Sequence, residues 1–590
     1  MKKMTGLAAL ISAAALTITA CSDGGANPAA DSEAGSQASS HDVASTALTE
    51  VKQTVADSFS TTDQFWNSAT IYFMLPDRFH NGNPDNDLSY GRKGDAAHMR
   101  GFLGGDLRGV IQKLEEGYFT DLGVDAIWMS PVIENVHGYD EGDKRTYAFH
   151  GYWPKDWTAV DANFGSEAEL AELIQVARSK GVRILLDVII NHTGPVTSVD
   201  PLWPSDWVRT NPQCDWSSFA QNVQCALTDN LPDILTESEQ PVDLPPQLTE
   251  KWQREGRLDQ EVAELDAFFA RTGYPRAPKY YIVKWLTDWV REYGVDGFRV
   301  DTVKHVEPEI WAVLKKEASL ALVEWKESNP QQALDDRDFF MVGEVYHYGV
   351  NNFASSDGRL YDFGDRKVDF FNYGFDSLIN MGFAAHADQD MESIFSEYSS
   401  ILHGGALDGV SVLNYLGSHD DQGSYDRERK QVKTAALKLM LAPGAAQIYY
   451  GDEIARPMID EQAYGDASMR VPMDWSSIER AKTSEILSHW QKLGQFRQSH
   501  LSVGAGVHQQ LSETPYIFSR TLDEDHVMVA LDMPAGEKSV DAADVFAEGT
   551  LVKDYYSGAE ARVESGVLTF NTEFDTLLLG AVEPTEITAR

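Results

Sequence analysis

Between Thr70 and about Ser499 the chain alternates short, almost wholly apolar runs with longer stretches whose apolar side chains recur every three or four positions. Strands are predicted at 69–75 (ATIYFML), 124–129, 182–190, 297–300, 339–342, 410–416 and 447–450, and helices at 106–122, 167–180, 280–293 and 430–441. Strands apolar on both faces, separated by amphipathic helices, predict a parallel sheet covered on both sides. With this many units an α/β fold of the closed (β/α)8 TIM-barrel kind is the leading architecture, and an open doubly wound sheet is the alternative.

Two regions break the alternation. Residues 193–278 are rich in Pro, Trp, Asp and Asn, and so long a stretch is not a structureless loop inside a compact domain. It is expected to be an inserted subdomain, domain B, after the third strand. From 499 to 590 the helical spacing stops, and short runs at 508–518, 526–531, 551–555 and 567–579 predict a C-terminal antiparallel β-domain. The barrel itself then takes 61–192 and 279–498. No repeat at solenoid or propeller periods is visible.

The first sixty residues follow another pattern. Lys2 and Lys3 precede an apolar run to Ala20, which is too short to span a bilayer but suits a signal peptide over 1–20. Ile18-Thr19-Ala20-Cys21 resembles a bacterial lipobox, in which Cys21 is acylated; an ordinary secretory signal with an incidental cysteine is the alternative. Residues 21–60, rich in Ala, Ser, Gly and Asp, read as a flexible tether. The expected location is the cell envelope, periplasmic or outer-membrane anchored, with membrane contact only through the lipid.

Cys214 and Cys225 are the remaining cysteines. In an oxidising compartment a disulfide between them is favoured over two free thiols or zinc ligands, since no further Cys or His completes a zinc set. Such a bond closes a short loop and contributes roughly 3 kcal/mol.

Composition narrows the partners. Of 590 residues 43% are hydrophobic and 24% charged, the usage of a soluble globular protein, and the formal net charge is −42. A surface that negative repels phosphate backbones, so no nucleic-acid partner is expected, but it is indifferent to neutral sugars. A monomer is expected. Aromatic residues at 11% either fill the core or, in part, form sugar-stacking platforms.

In a barrel, reactive side chains sit where strands end at the carboxyl face. Here those ends carry Asp187, Asn191 and His192; Arg299, Asp301, Lys304 and His305; Glu344; and His419 and Asp420. One acid at a strand end is usually a cap or a surface charge. Four such ends converge on one pocket. Three carboxylates with an arginine suit a reaction that develops positive charge on a neutral substrate, as glycosidic cleavage does. Arg299, two residues before Asp301 on one strand, points to the same side and can hold that aspartate ionised.

These four segments resemble the signature regions of the alpha-amylase family, glycoside hydrolase family 13, in the right order over roughly 66–495. Further likenesses are 72–87 (YFMLPDRFHNGNPDND), 149–153 (FHGYW), 231–233 (LPD) and 443–453 (PGAAQIYYGDE). The resemblance implies Asp301 as nucleophile, Glu344 as general acid/base and Asp420 as transition-state stabiliser. It implies that Arg299, His192 and His419 hold the sugar at the cleavage subsite, Tyr152 stacks on it, and His150 and Asp187 support it. Lys304 and His305 would line the acceptor side.

The resemblance also implies calcium. One site would take Asn191, Asp233 and the carbonyl of His305, all oxygen donors suited to a hard cation. A second would take Asn81, Asn83, Asn86, Asp87, Gly104 and Asp106, with a plain Asn/Gly/Pro turn as the alternative.

The likeness is nearest to periplasmic alpha-amylases of Gram-negative bacteria. It implies retaining, internal cleavage of α-1,4-glucosidic bonds in starch, glycogen or maltooligosaccharides. A cyclomaltodextrinase or 4-α-glucanotransferase is the alternative, and a silent glucan-binding lipoprotein a remote one. The fourth region departs from the family's usual Asn-His-Asp, reading Ser418-His419-Asp420.

Overall fold

The computed structural model describes residues 63–582, apart from 143 and 421–422. The expected signal peptide, tether and Cys21 lie outside the described residues.

Eight parallel strands close a barrel: β1 (Thr70–Met74), β2 (Ala126–Met129), β3 (Arg183–Val188), β4 (Gly297–Val300), β5 (Phe340–Gly343), β6 (Ser377–Asn380), β7 (Ser411–Tyr415) and β8 (Ala445–Tyr449). Each pairs with its neighbour in chain order, and β8 returns to β1 through Thr70 opposite Ala446. The open-sheet alternative is thereby excluded. Every residue of β1, β3 and β7 is buried, as strands with one face in the barrel interior and the other under helices must be.

The helices start where local chemistry allows. Over Glu167–Ser179, Ser166 caps the Glu169 amide while the Glu169 carboxylate reaches back to the Ser166 amide, satisfying two otherwise orphaned donors. The single helix expected over 106–122 is instead two, Leu107–Glu115 and Tyr118–Asp121. Gly117 between them has φ 83°, a left-handed conformation that a helix interior cannot contain.

The segment after β3 is a folded insert. It holds a two-stranded pair (Val208–Arg209 with Asp233–Ile234) and helices Pro246–Glu255 and Leu258–Thr272. Trp207 stacks on Trp285 at 6.1 Å and 9°, and Trp252 meets Trp285 edge-on at 6.1 Å, so tryptophans bind insert to barrel helix Pro278–Tyr293. Cys214 and Cys225 are joined by a disulfide.

Beyond the last barrel helix, Ala481–Ser499, antiparallel strands form a C-terminal β-domain. Two expected strands are each two in fact. Residues 508–518 make a hairpin, Val507–Ser512 against Tyr516–Leu522, because Pro515 cannot donate to a ladder. Residues 567–579 divide into Val567–Thr572 and Leu577–Ala581, which pair in different sheets.

Candidate active site

Strand register assembles the site. Asp187 on β3 lies directly opposite Arg299 on β4. Asp301 and Glu344 are the first residues past β4 and β5, and their amides donate to Val188 O and Val300 O, each at 2.9 Å. Arg299 and Asp301, two positions apart on an extended strand, face the same way. The Arg299 side chain is buried, and its Nη1 donates to Asp187 Oδ1 at 2.8 Å and to Asp301 Oδ1 at 2.9 Å. Its Nη2 lies 3.1 Å from Glu344 Oε2. The amide of Thr302 donates to the same Glu344 oxygen at 3.0 Å, and Thr302 takes φ 50°, an uncommon backbone state for a β-branched residue.

One guanidinium therefore serves three carboxylates. Asp420 has other partners, 2.8 Å from Arg470 Nη2 and 2.9 Å from His419 Nε2.

The acids differ in their protons. Burial pushes Asp187 up to about 6 against the pull of Arg299. Burial also raises Asp301, with Asp187 and Asp420 adding to it and Arg299 opposing. Glu344 is raised by burial and by the charges of Asp301 and Asp420. Asp420 goes the other way: burial works to raise it, but His419 and Arg470 hold it well below the usual carboxylate range. Carboxyl groups whose surroundings drive their proton affinities apart can divide acid, base and electrostatic roles among themselves.

Sugar-sized polar and aromatic groups surround these acids in a cleft of about 810 Å³. The Tyr152 hydroxyl donates to Asp187 Oδ2 at 2.7 Å, and its ring stacks on His419 at 5.2 Å and 12°. His192 Nε2 is 3.1 Å from the Tyr152 carbonyl, and burial lowers the imidazole to about 4, so it acts as a neutral donor. His150 Nδ1 accepts from the Tyr152 amide at 3.0 Å. Lys304 Nζ donates to the Tyr361 hydroxyl at 2.9 Å, and burial brings it down to about 8. His305 Nδ1 faces the Asn222 carbonyl at 3.0 Å. All eleven residues singled out for catalysis and substrate thus gather at one end of the barrel.

Other groups at the site were not singled out from the sequence. Trp128 Nε1 donates to Asp187 at 3.0 Å, and Arg470 holds Asp420. Trp216, Asn222, Tyr346 and Tyr361 line the cleft. Trp128 lies next to the end of a predicted strand; Asn222 and Tyr361 stand on the short elements Ala220–Val223 and Leu360–Asp362 and the others on loops, where spacing carries no such signal.

The candidate metal ligands fall in two groups, the first of which includes the cleft residue His305. The Asn191 carbonyl accepts from the Ile234 amide at 2.8 Å, which brings Asn191 beside Asp233, and Asp233 Oδ2 accepts from Arg209 Nε at 2.7 Å. Near the N-terminal turn, Asn81 Nδ2 donates to Asp87 Oδ1 at 2.8 Å. A Cβ on Gly104 would come within 2.4 Å of the Asn81 amide and 2.6 Å of that Asp87 oxygen. Both polar side-chain atoms of Asn86 are buried without a hydrogen-bond partner. Asn83 accepts from the Asp85 amide, and Asp106 accepts from the amides of Gly82, Asn83 and Gly109 while capping helix Leu107–Glu115. Among the described residues no three of His, Cys, Asp and Glu are grouped to hold a metal ion.

The family model for the alpha amylase catalytic domain matches residues 73–510. The periplasmic alpha-amylase of Escherichia coli (strain K12) is 37% identical over 525 residues, covering 79% of this chain and 72% of that protein. This chain belongs to the alpha-amylase family. It is therefore a glycoside hydrolase. A cyclomaltodextrinase of a Bacillus sp. is 25% identical over 478 residues, covering 79% of this chain and 72% of that protein. In fold, the alpha-amylase from Geobacillus thermoleovorans, solved as a complex with acarbose, matches with TM-score 0.59 at 23% identity, over 88% of this chain and 99% of that one. The family's retaining chemistry asks for two carboxyl groups flanking one bond, and Asp301 and Glu344 share a guanidinium.

Proposed function

We propose that this protein hydrolyses internal α-1,4-glucosidic bonds of starch, glycogen or maltooligosaccharides by double displacement. Asp301 attacks the anomeric carbon while Glu344, holding its proton, delivers it to the departing oxygen. Glu344 then takes a proton from water as that water breaks the glycosyl–Asp301 ester. Asp420, kept ionised by His419 and Arg470, stabilises the oxocarbenium-like charge. Tyr152, His192, His419 and Arg299 hold the sugar at the cleavage subsite, with His150 and Asp187 supporting it, and Lys304 and His305 face the acceptor. The observation that carries this reading is the Arg299 fork on Asp187, Asp301 and Glu344, with Asp301, Glu344 and Asp420 all lining one cleft of about 810 Å³.

The cleft that holds the acids is lined also by Arg100, Asp466 and Arg470 and by Trp216, Lys304 and Tyr361, and its volume of about 810 Å³ leaves room for more than one glucose unit, which supports internal cleavage. A silent glucan-binding protein would have lost one of Asp301, Glu344 and Asp420, and all three are present. Product analysis on soluble starch, maltoheptaose and a cyclodextrin tests the assignment. Maltooligosaccharides with a net gain of reducing ends are expected. Disproportionation without that gain would assign a 4-α-glucanotransferase instead, and a preference for cyclodextrin a cyclomaltodextrinase.

Calcium fits this chain's residues. The Asp87 carboxylate at the Gly104 cradle, which a Cβ would fill, and the unpartnered side-chain oxygen of Asn86 are donors suited to a hard cation, and Asn81, Asn83 and Asp106 would complete the set. Asn191, Asp233 and the His305 carbonyl would hold a second ion beside the insert, with Arg209 already neutralising part of Asp233. Bound there, calcium would brace loops and take no part in bond breaking.

The apolar leader and the Cys21 motif support export and acylation. No helix of the described residues is long and apolar enough to cross a membrane. Incorporation of labelled palmitate, lost in Cys21→Ala, tests the anchor, and sedimentation tests the monomer.

A further inference from the structure

We propose that Arg209 is a built-in cation that stands in for calcium at Asp233, so that the insert stays joined to the barrel without the ion and the site binds calcium less tightly than its acids alone would. The proposal rests on the calcium reading above and specifies which of this chain's own residues competes with the ion there.

Strand register places the guanidinium. Val208–Arg209 pairs antiparallel with Asp233–Ile234, and Arg209 lies directly opposite Asp233. Side chains so placed start about 5 Å apart at their Cβ atoms, close enough for an ion pair. Arg209 Nε donates to Asp233 Oδ2 at 2.7 Å, and Nη2 donates to Glu237 Oε2 at 2.5 Å. One side chain thus clamps two acids four residues apart. Asp233 is 1% exposed, so a charge there needs its partner inside the protein.

The clamp sits on a seam. On its other side Asp233 bridges to His192, and the Ile234 amide donates to Asn191 O at 2.8 Å. The Asp233 strand is therefore held between the strand of Arg209 and the segment just past β3, which carries a residue assigned to the sugar. Two acids left to repel each other at this point would work against both pairings.

One guanidinium does not answer all the acid gathered here. The charges of Glu237 and Glu307 both reach Asp233. Glu307 Oε2 accepts from the Thr236 hydroxyl at 2.7 Å, while its Oε1 is buried with no hydrogen-bond partner. Lys279, whose charge also reaches Glu307, lies 2.5 Å from Glu239. Oxygen donors with charge to spare suit a hard divalent cation, and a guanidinium already among them repels one. The same contact that steadies the chelated protein accordingly lowers its affinity for the ion. Binding of the ion to the folded state then adds less stability than it would at the acids alone.

The test takes the whole protein, strips it with a strong chelator and titrates it with calcium chloride at neutral pH by calorimetry. Arg209→Gln should bind calcium about tenfold more tightly than the wild type, the scale of one unit charge removed from beside a divalent ion. In chelator this variant should melt below the wild type, and excess calcium should restore the wild-type Tm. Arg209→Lys, which keeps the charge, should stay near the wild type in both readouts. Asp233→Asn added to Arg209→Gln should abolish the gain in affinity, which separates this site from the N-terminal turn. An Arg209→Gln affinity no tighter than wild type, a gain that survives Asp233→Asn, or a Tm lowered equally in chelator and in calcium would overturn the role given to Arg209. Calcium binding by neither the wild type nor Arg209→Gln would instead overturn the calcium reading, and this inference with it.

Discussion

Arg299, on the floor of the cleft, comes from a four-residue strand paired on both sides, and its guanidinium is shared among Asp187, Asp301 and Glu344. Trp216, on the rim, stands half-exposed on a crosslinked loop of the insert. On the floor, position follows from barrel register, and one buried guanidinium holds three carboxyl groups in place. On the rim, position follows from one disulfide and a few contacts, and much of the surface stays in water. Chemistry placed on strands tolerates little displacement. Substrate preference placed on loops can change without disturbing it.

This contrast predicts a ranking of effects. Asp301→Asn should lower kcat on starch by about four orders of magnitude or more, because the covalent path is removed, while oligosaccharide binding by calorimetry persists. Near-normal turnover would break the assignment of the floor. Glu344→Gln should cost about 10²- to 10⁴-fold on maltoheptaose. Its loss should be much smaller in the release of fluoride from α-maltosyl fluoride, a leaving group that needs no proton; equal losses would deny Glu344 the acid's role.

The pH profile sharpens the floor further. Glu344 is raised by burial and by the negative charges of Asp301 and Asp420, so it keeps its proton above the ordinary glutamate range. With the proposed roles, activity should fall at high pH where that proton leaves and at low pH where Asp301 gains one. Asp420→Asn removes one of the charges that raise Glu344, so the alkaline limb of kcat/KM should move to lower pH in the residual activity. A limb that stays put or moves upward would contradict the electrostatic coupling.

Smaller effects belong to the periphery. If calcium binds only the folded state, a strong chelator should lower the Tm, the ion contributing about 2.7 kcal/mol when present at a hundred times its Kd. An unchanged Tm would argue against a structural ion. Asn86→Ala should weaken that response if the N-terminal turn is the site.

The contrast also explains what could be read from the chain alone. Asp301 and Glu344 each follow a short apolar run, and Arg299 precedes Asp301 by two, so a barrel hypothesis brings them together without coordinates. Strand β6, Ser-Leu-Ile-Asn, is too short and too polar at its ends to announce itself. The hairpin at 507–522 looks like one strand because its apolar positions run through a turn made by Glu513, Thr514 and Pro515. Arg470 and Trp216 escape notice for another reason. Arg470 reaches Asp420 from fifty residues downstream, and Trp216 reaches His305 from an insert; loop paths, not periodicity, set both contacts.

The most direct test of the floor is to trap the sugar on it. Glu344→Gln incubated with α-maltosyl fluoride should accumulate a covalent adduct, since fluoride leaves unaided but water then lacks its base. Intact-protein mass spectrometry should show a gain of one maltosyl group, and peptide mapping should locate it on Asp301. An adduct on any other residue, or active enzyme that forms none and releases the β-anomer first, would contradict double displacement at Asp301.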